Sequence, residues 1–385
     1  MVKFLAKRFL QMGFLFLIFL TILFLILSAQ PGDIAQKFVG NPDIPPEAKE
    51  LLRRELGLDQ PVFVQYLNYI KNFFTLNLGV SFDHYPRPVS EILLQALPRT
   101  IWLFLTATIL AYAVGFQTGK LAAWRRGTFL EKASMTGGVV LYTVFYPWFA
   151  LLMLWFFGYQ VGLFPLGKFL TPEKWIGAGY AANDVFRSML VTAIVVSGLA
   201  FAALALSRRI AEPRTQRLVF RLSLAGLIVM TVLYWMNNPM RPFATDIAYH
   251  TILPVVTLTL VFYAGITLLT RSSMLETLRE DYILTARAKG VPDRVIRDRH
   301  AARNALLPVT TSFVLAIAFV IGGGIVTESI FSWPGLGLTL LNAVTVEDVP
   351  VAMGALAFIG VLALIAHLIA DILYAVLDPR IRVQA

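Results

Sequence analysis

The amino-acid sequence predicts an all-α protein, a polytopic transmembrane helical bundle of eight spans with both termini cytoplasmic. Hydrophobic residues fill 57% of its 385 positions and 29 positions are Phe. With a mean hydropathy of +0.70, this apolar share is well beyond that of a soluble domain. Eight segments run apolar for roughly 18 residues or more, and about 20 residues at 1.5 Å each cross a hydrocarbon core. The connections that alternation assigns to one side carry the Lys and Arg, as cytoplasmic loops do.

The spans fall at 9–29, 100–119, 133–158, 189–206, 218–236, 250–270, 306–327 and 351–377. The first follows Lys3, Lys7 and Arg8 and ends in Leu27-Ser28-Ala29, like a secretory signal. It is too long for a signal's apolar region, so 1–29 reads as an N-terminal anchor. With the N-terminus inside, 124–132, 207–217, 271–303 and 380–382 are inside as well. They carry Arg125 and Arg126, then Arg208, Arg209, Arg214 and Arg217, then eight Arg or Lys in 271–303. These flanks account for the net charge of +10, so the partner implied is the lipid bilayer and no nucleic acid. Cysteine is absent, which excludes disulfides, thiolate metal sites and cysteine nucleophiles.

Segment 30–99 is extracytoplasmic and too long for a plain connector. Pro45 and Pro46 precede Glu47, and Leu51, Leu52, Leu56 and Leu58 recur at helical spacing until Gly57 and Pro61 interrupt. An aromatic-rich piece follows at 62–74. Such helices fit a cap on the outer membrane surface, a seat for a soluble partner, or a cover for span ends. The transmembrane core then divides into 100–177 and 250–385 around 178–249, which reads as an inserted two-helix hairpin. Five arginines lie between its spans and their borders, from Arg208 to Arg221, and few ionisable groups lie within them. A peripheral packing role is expected of it.

Residues 271–303 read as helix, glycine break, helix. No helix breaker interrupts Arg271 to Lys289, so the sixth span should continue as an amphipathic helix with Met274, Leu278, Tyr282 and Ile283 near one side. Gly290 is placed to cap it in a left-handed conformation. Pro292 suits the first turn of the next helix, and Asp293 complements that helix's dipole. Ala286 and Ala288 keep the corner slim for close approach by another protein, while Arg287, Lys289, Arg294 and Arg297 ring it with positive charge. On charge alone, an ordinary basic cytoplasmic loop is the simpler reading.

The order of residues points further. Asp281-Tyr282-Ile283-Leu284-Thr285-Ala286-Arg287-Ala288-Lys289-Gly290, followed by Arg299-His300-Ala301-Ala302-Arg303-Asn304-Ala305-Leu306-Leu307-Pro308, resembles the signature loop of ABC importer permeases of the dipeptide/oligopeptide/nickel class. Leu284 and Thr285 stand where the general form has Glu and its first Ala, as in the peptide branch. Gly57-Leu58-Asp59-Gln60-Pro61, Leu78-Gly79-Val80-Ser81 and Leu97-Pro98-Arg99-Thr100 resemble the N-terminal half of the B-type subunit. The stretches from Glu328 to Gly337 and from Asp371 to Arg380 resemble its C-terminal half. Six spans are usual in that family, so the hairpin 178–249 is a departure.

The resemblance implies a division of labour in a bacterial or archaeal plasma (inner) membrane. This chain and a related second permease subunit, a hetero-oligomer, would form the pathway. Two cytoplasmic ABC ATPase subunits would dock on the loop, and an extracytoplasmic solute-binding protein would deliver di- or oligopeptides. The docking residues implied are Asp281, Tyr282, Thr285, Ala286, Arg287, Ala288, Lys289 and Gly290. No catalytic residue, metal or cofactor is expected on this chain; ATP and magnesium belong on the partner ATPases. Gly119-Lys120 is not a phosphate loop, since Leu121 stands where Ser or Thr would bind magnesium and Val114 where a glycine is needed.

Three features stay outside that reading. Gly322-Gly323-Gly324 lies in an apolar run, where small residues permit tight helix contact. Glu328 with Trp333, Pro334 and Gly335 suits an outer gate, a docking surface, or a rigid turn with Trp at the interface. His367 and Asp371 are four apart on the last span, hence on one face. As an intramembrane pair they suit either a structural ion pair with another span or a proton relay. The relay would make this a stand-alone proton-coupled or facilitative secondary carrier.

Overall fold

Hydrocarbon offers peptide groups no hydrogen-bond partner, so an apolar run must satisfy its own backbone, and a helix does so within one segment. The computed structural model describes residues 2–28, 60–320 and 323–377. The helix expected before Gly57, the Gly57-Leu58-Asp59 motif and the tail from Asp378 lie outside these. The described residues form helices α1 (Val2–Ser28), α2 (Val62–Phe74), α3 (Val89–Trp124), α4 (Phe129–Thr143), α5 (Tyr146–Met153), α6 (Ala182–Ser207) and α7 (Pro213–Asn237). They continue as α8 (Arg241–Thr277), α9 (Asp281–Ala288), α10 (Ala302–Val320), α11 (Ile325–Ile330), α12 (Leu336–Thr345) and α13 (Val349–Leu377). Six helices, α1, α3, α6, α7, α8 and α13, are long and apolar enough to cross a membrane.

The other two expected spans are interrupted. The run 133–158 forms a helix pair, Glu131–Thr143 and Tyr146–Gln160, bent by 108°. Pro147 has no N–H to offer the Thr143 carbonyl, and the backbone is extended at Val144 and Phe145. The run 306–327 holds a helix only to Val320. Gly323 takes φ +69° and Gly324 is extended before α11 begins. These glycines break the helix rather than lying inside it, although they do serve close approach. A Cβ on Gly324 would stand 2.6 Å from the Phe104 ring, and one on Gly323 3.0 Å from Thr100.

The chain divides into two compact units. The first joins Met1–Leu154 to Pro254–Ala385. Within it α13 packs against α1, α3, α10 and α12. Leu20 and Leu23 of α1 meet Met353 and Ala357, and Val89, Leu93 and Ala96 of α3 meet Leu336, Leu340, Val351 and Ala355. Lipid tails are as apolar as leucine, so helices here gain by approaching closely. Gly115 and Gly119, four apart on α3, show it. A Cβ on Gly115 would come within 2.9 Å of Ile266, and one on Gly119 within 2.6 Å of the Thr267 carbonyl. The hydroxyls of Thr118 and Thr267 lie 3.0 Å apart across the same seam. Helix α2 covers α1: Phe16 and Phe73 rings are 5.3 Å apart, and Thr21 and Tyr66 hydroxyls 2.7 Å.

The second unit is Trp155–Leu253 and contains the expected hairpin, α6 packed on α7. Buried Asp246 organises it. Its carboxylate accepts from the Thr171 N–H (2.8 Å), the Thr171 hydroxyl (2.7 Å), Lys174 Nζ (3.1 Å) and Trp175 Nε1 (3.0 Å). These donors fix the single helical turn Pro172–Trp175.

Candidate functional site

The loop 271–303 is the best-formed candidate. Helix α8 ends at Thr277, whose hydroxyl donates to the Ser273 carbonyl at 2.8 Å. Glu280 is extended (φ −70°, ψ 144°), and Asp281 opens α9. The continuous helix expected from Arg271 to Lys289 is therefore two. A threonine hydroxyl bonded back one turn weakens and bends a helix, and Asp281 favours a new N-terminus through the dipole.

Helix α9 has a clear inner side. Ile283 and Ala286 are buried among Met274, Ile296, Ala301, Ala302 and Ala305, with Trp124 and Val291 against them. Asp281, Tyr282, Leu284, Thr285, Arg287, Ala288, Lys289 and Gly290 are exposed. Ala286 thus does not face a partner as expected; its small side chain lets α9 lie close on its own support. Asn304 Nδ2 donates to the Tyr282 hydroxyl at 2.7 Å.

The end of α9 follows expectation. Gly290 has φ +69°. Its N–H donates to the Arg287 carbonyl at 2.9 Å, and the Val291 N–H to the Ala286 carbonyl at 3.1 Å, the two bonds of a Schellman end. No atom lies within 4 Å of a Cβ placed on Gly290, so the backbone alone demands glycine. Pro292 stands one residue earlier than expected, as the N-cap (φ −57°, ψ 138°), and Asp293 opens the next turn.

Two charged ties hold this support. Across the π-helical turn Ile296–Ala301, Arg297 Nε and Nη2 donate to the two Asp298 oxygens at 2.9 and 2.7 Å. Lys120 Nζ, from the end of α3, lies 3.1 Å from Asp298 Oδ1. The Arg297 bonds, with Lys120 adding, hold the Asp298 carboxyl well below the usual carboxylate range. The same bonds raise Arg297. In the second tie, Arg271 Nε donates to Glu131 Oε1 at 3.0 Å. Glu131 Oε2 accepts the Gly127 N–H at 2.5 Å, while the hydroxyl of Thr128, the N-cap of α4, accepts the Glu131 N–H at 3.4 Å.

The Glu328 to Gly335 turn is a different kind of site. Glu328 and Trp333 are fully buried. Thr100 Oγ1 donates to Glu328 Oε1 at 2.8 Å and accepts the Leu336 N–H at 2.8 Å. The Leu338 N–H donates to Glu328 Oε2 at 2.9 Å. Trp333 Nε1 donates to the Arg99 carbonyl at 3.0 Å, and Arg99 Nη1 to the Pro334 carbonyl at 3.3 Å. The turn is stapled to the start of α3, and Trp333 lies inside the protein rather than at an interface.

Comparison with known proteins identifies the family. The family of binding-protein-dependent transport system inner membrane components matches residues 115–383, and its N-terminal model matches residues 1–104. The chain belongs to this family. The permease is 32% identical to the Di/tripeptide transport system permease protein DppB of Pseudomonas aeruginosa, covering 100% of both chains. It is 31% identical to the Oligopeptide transport system permease protein AppB of Bacillus subtilis over 93% of this chain and 92% of that one. It is 32% identical to the Dipeptide transport system permease protein DppB of Escherichia coli over 91% and 90%.

The structure separates the His367/Asp371 pair into two attachments. Arg8 Nε of α1 lies 3.5 Å from Asp371 Oδ2, and His367 Nδ1 donates to the Ala363 carbonyl at 2.8 Å. Lys120, Glu131 and exposed Leu284 were missed among candidate residues of the permease. Glu131, the lone acid within the basic connection 124–132, was the available signal for itself, whereas Asp298 is one of five acids in 271–303 and gave none for Lys120.

Proposed function

We propose that this permease is the B-type membrane subunit of an ATP-driven, binding-protein-dependent importer of di- or oligopeptides. Its partners would be a related second permease, two ABC ATPases carrying ATP and magnesium, and an extracytoplasmic solute-binding protein. The observation that carries the reading is α9: a short helix seated by Ile283 and Ala286, presenting Leu284, Thr285, Arg287, Ala288 and Lys289 outward, in the segment that resembles the family's signature loop. The printed names of the relatives support peptides as the cargo.

Contacts within the first unit support the proposed orientation. Arg8 near the start of α1 meets Asp371 near the end of α13, which suits termini on one face. Lys120 meets Asp298 and Arg271 meets Glu131, which brings the connection after α3 to the level of the 271–303 loop. All these segments are basic, and the cytoplasm is the side that basic short loops take. Six apolar helices, the bent pair and α10 would make the eight membrane elements.

A force on α9 would pass through Ile283 and Ala286 to Met274 of α8, and through Asp298 and Lys120 to α3, a switching movement of packed elements. The test is co-purification of tagged wild type beside Gly290→Trp, with ATP hydrolysis and peptide uptake assayed. Wild type should retain ATPases and a second permease, and the variant should keep the permease while losing ATPases. Wild type that purifies without an ATPase sinks the reading.

A further inference from the structure

The hairpin of the second unit ends in a strongly basic turn. Away from the turn that joins them, α6 and α7 expose Ile194, Phe201, Leu206, Leu222, Ile228 and Met230, as helices immersed in lipid do. Between them the chain runs Ser207-Arg208-Arg209-Ile210-Ala211-Glu212-Pro213-Arg214-Thr215-Gln216-Arg217, with Arg221 one turn further on. All five arginines are exposed. Arg214, Arg217 and Arg221 are spaced by three and four on α7, hence on one face. The only carboxylate in the stretch, Glu212, accepts the Thr215 hydroxyl at 2.7 Å. Arg217 Nε donates to the Pro213 carbonyl at 2.9 Å. Among the described residues none of the five is held in an ion pair.

The dimensions fit a phosphate layer. Arg214 and Arg221 are separated by about 10 Å along the helix axis. A headgroup region is roughly 5–8 Å deep on each side of the hydrocarbon, so the upper residues lie among phosphates and Arg221 reaches up to them from below. A guanidinium presents paired N–H donors that match phosphate oxygens, which an ammonium does not. We propose that the 207–221 turn is a binding site for the phosphates of anionic lipid headgroups, and that this contact fixes the depth and tilt of the hairpin in the bilayer.

The test uses the full chain with its co-purifying subunits, exposed to equal amounts of phosphatidylglycerol and phosphatidylcholine and examined by native mass spectrometry. Phosphatidylglycerol should be retained preferentially, and each Arg→Gln change at 214, 217 or 221 should weaken retention about fivefold. The Arg→Lys set should retain less than wild type, for want of the paired donors, but more than the Arg→Gln set, because the charge is kept. Arg187→Gln, at the other end of α6, should change nothing. Equal retention of both lipids, or a preference that survives Arg214→Gln/Arg217→Gln/Arg221→Gln, overturns the proposal. Displacement by millimolar inorganic phosphate would show a free-anion site and overturn it as well. So would loss of a bound protein, with lipid retention intact.

Discussion

Gly290 shows how a residue with no neighbour can be indispensable. The space around it is open, yet φ +69° costs an ordinary L-residue about 1–2 kcal/mol, less for Asn. Gly290→Ala should therefore lower the melting temperature of the purified permease, with Gly290→Asn falling between it and wild type. Equal melting of all three would refute the backbone explanation. At the buried turn, Thr100 both donates to Glu328 and accepts the Leu336 N–H. Thr100→Val preserves shape while orphaning both groups, at a cost of about 1–3 kcal/mol each. A melting curve superimposable on wild type would contradict it. Sequence made Gly290 legible, because a glycine after a helical run has one dominant use. It did not make Trp333 legible, since a Trp before Pro-Gly reads the same whether it faces lipid or the Arg99 carbonyl.

Among the elements, the prominent departure is the joint between α8 and α9. Periodicity carried one helix through Thr277 to Lys289, since no glycine or proline intervenes there. The break comes from weaker forces, a back-bonded threonine and an acid at a helix start, which compete with packing that only three dimensions supply. The bend before Pro147 and the break at Gly323 fall inside runs that apolar length alone reads as unbroken spans. Because the joint interrupts α8, the Lys120–Asp298 bridge becomes a route from the loop into α3. Lys120→Gln should leave ATPase binding intact while uncoupling hydrolysis from uptake, and Lys120→Arg should restore coupling. Full coupling in Lys120→Gln would remove Lys120 from the route. The carboxyl of Asp298 is depressed in the folded protein, so its contribution is complete above the ordinary value of about 3.9 and fades only as pH falls below that. Coupling measured at pH 8 and pH 6 should show no titration from this bridge.

For the molecule as a whole, all-helical membrane character and the positions of six spans were legible from apolar length alone, because a membrane enforces that one rule so strictly. Close packing was not: Gly115 and Gly119 acquire meaning only against Ile266 and Thr267. The Arg8–Asp371 pair tests the two functional readings against each other. It is partly exposed, with side chains 44% and 28% accessible, so it contributes about 0–1 kcal/mol. Asp371→Asn should leave ATP-dependent uptake nearly unchanged in vesicles. Abolished uptake, with the complex intact, would revive a proton relay at this position.

The same pair has a meaning in time. Helix α1 leaves the ribosome well before α13, which carries its seat on Met353 and Ala357 and its partner Asp371. At about 5–20 residues per second, the intervening chain takes roughly 20–70 s to make. Throughout that interval the first helix waits in the bilayer with its mating surface uncovered, and every nascent chain that stops short of α13 leaves it so. The closing of that seam therefore waits on the synthesis of α13.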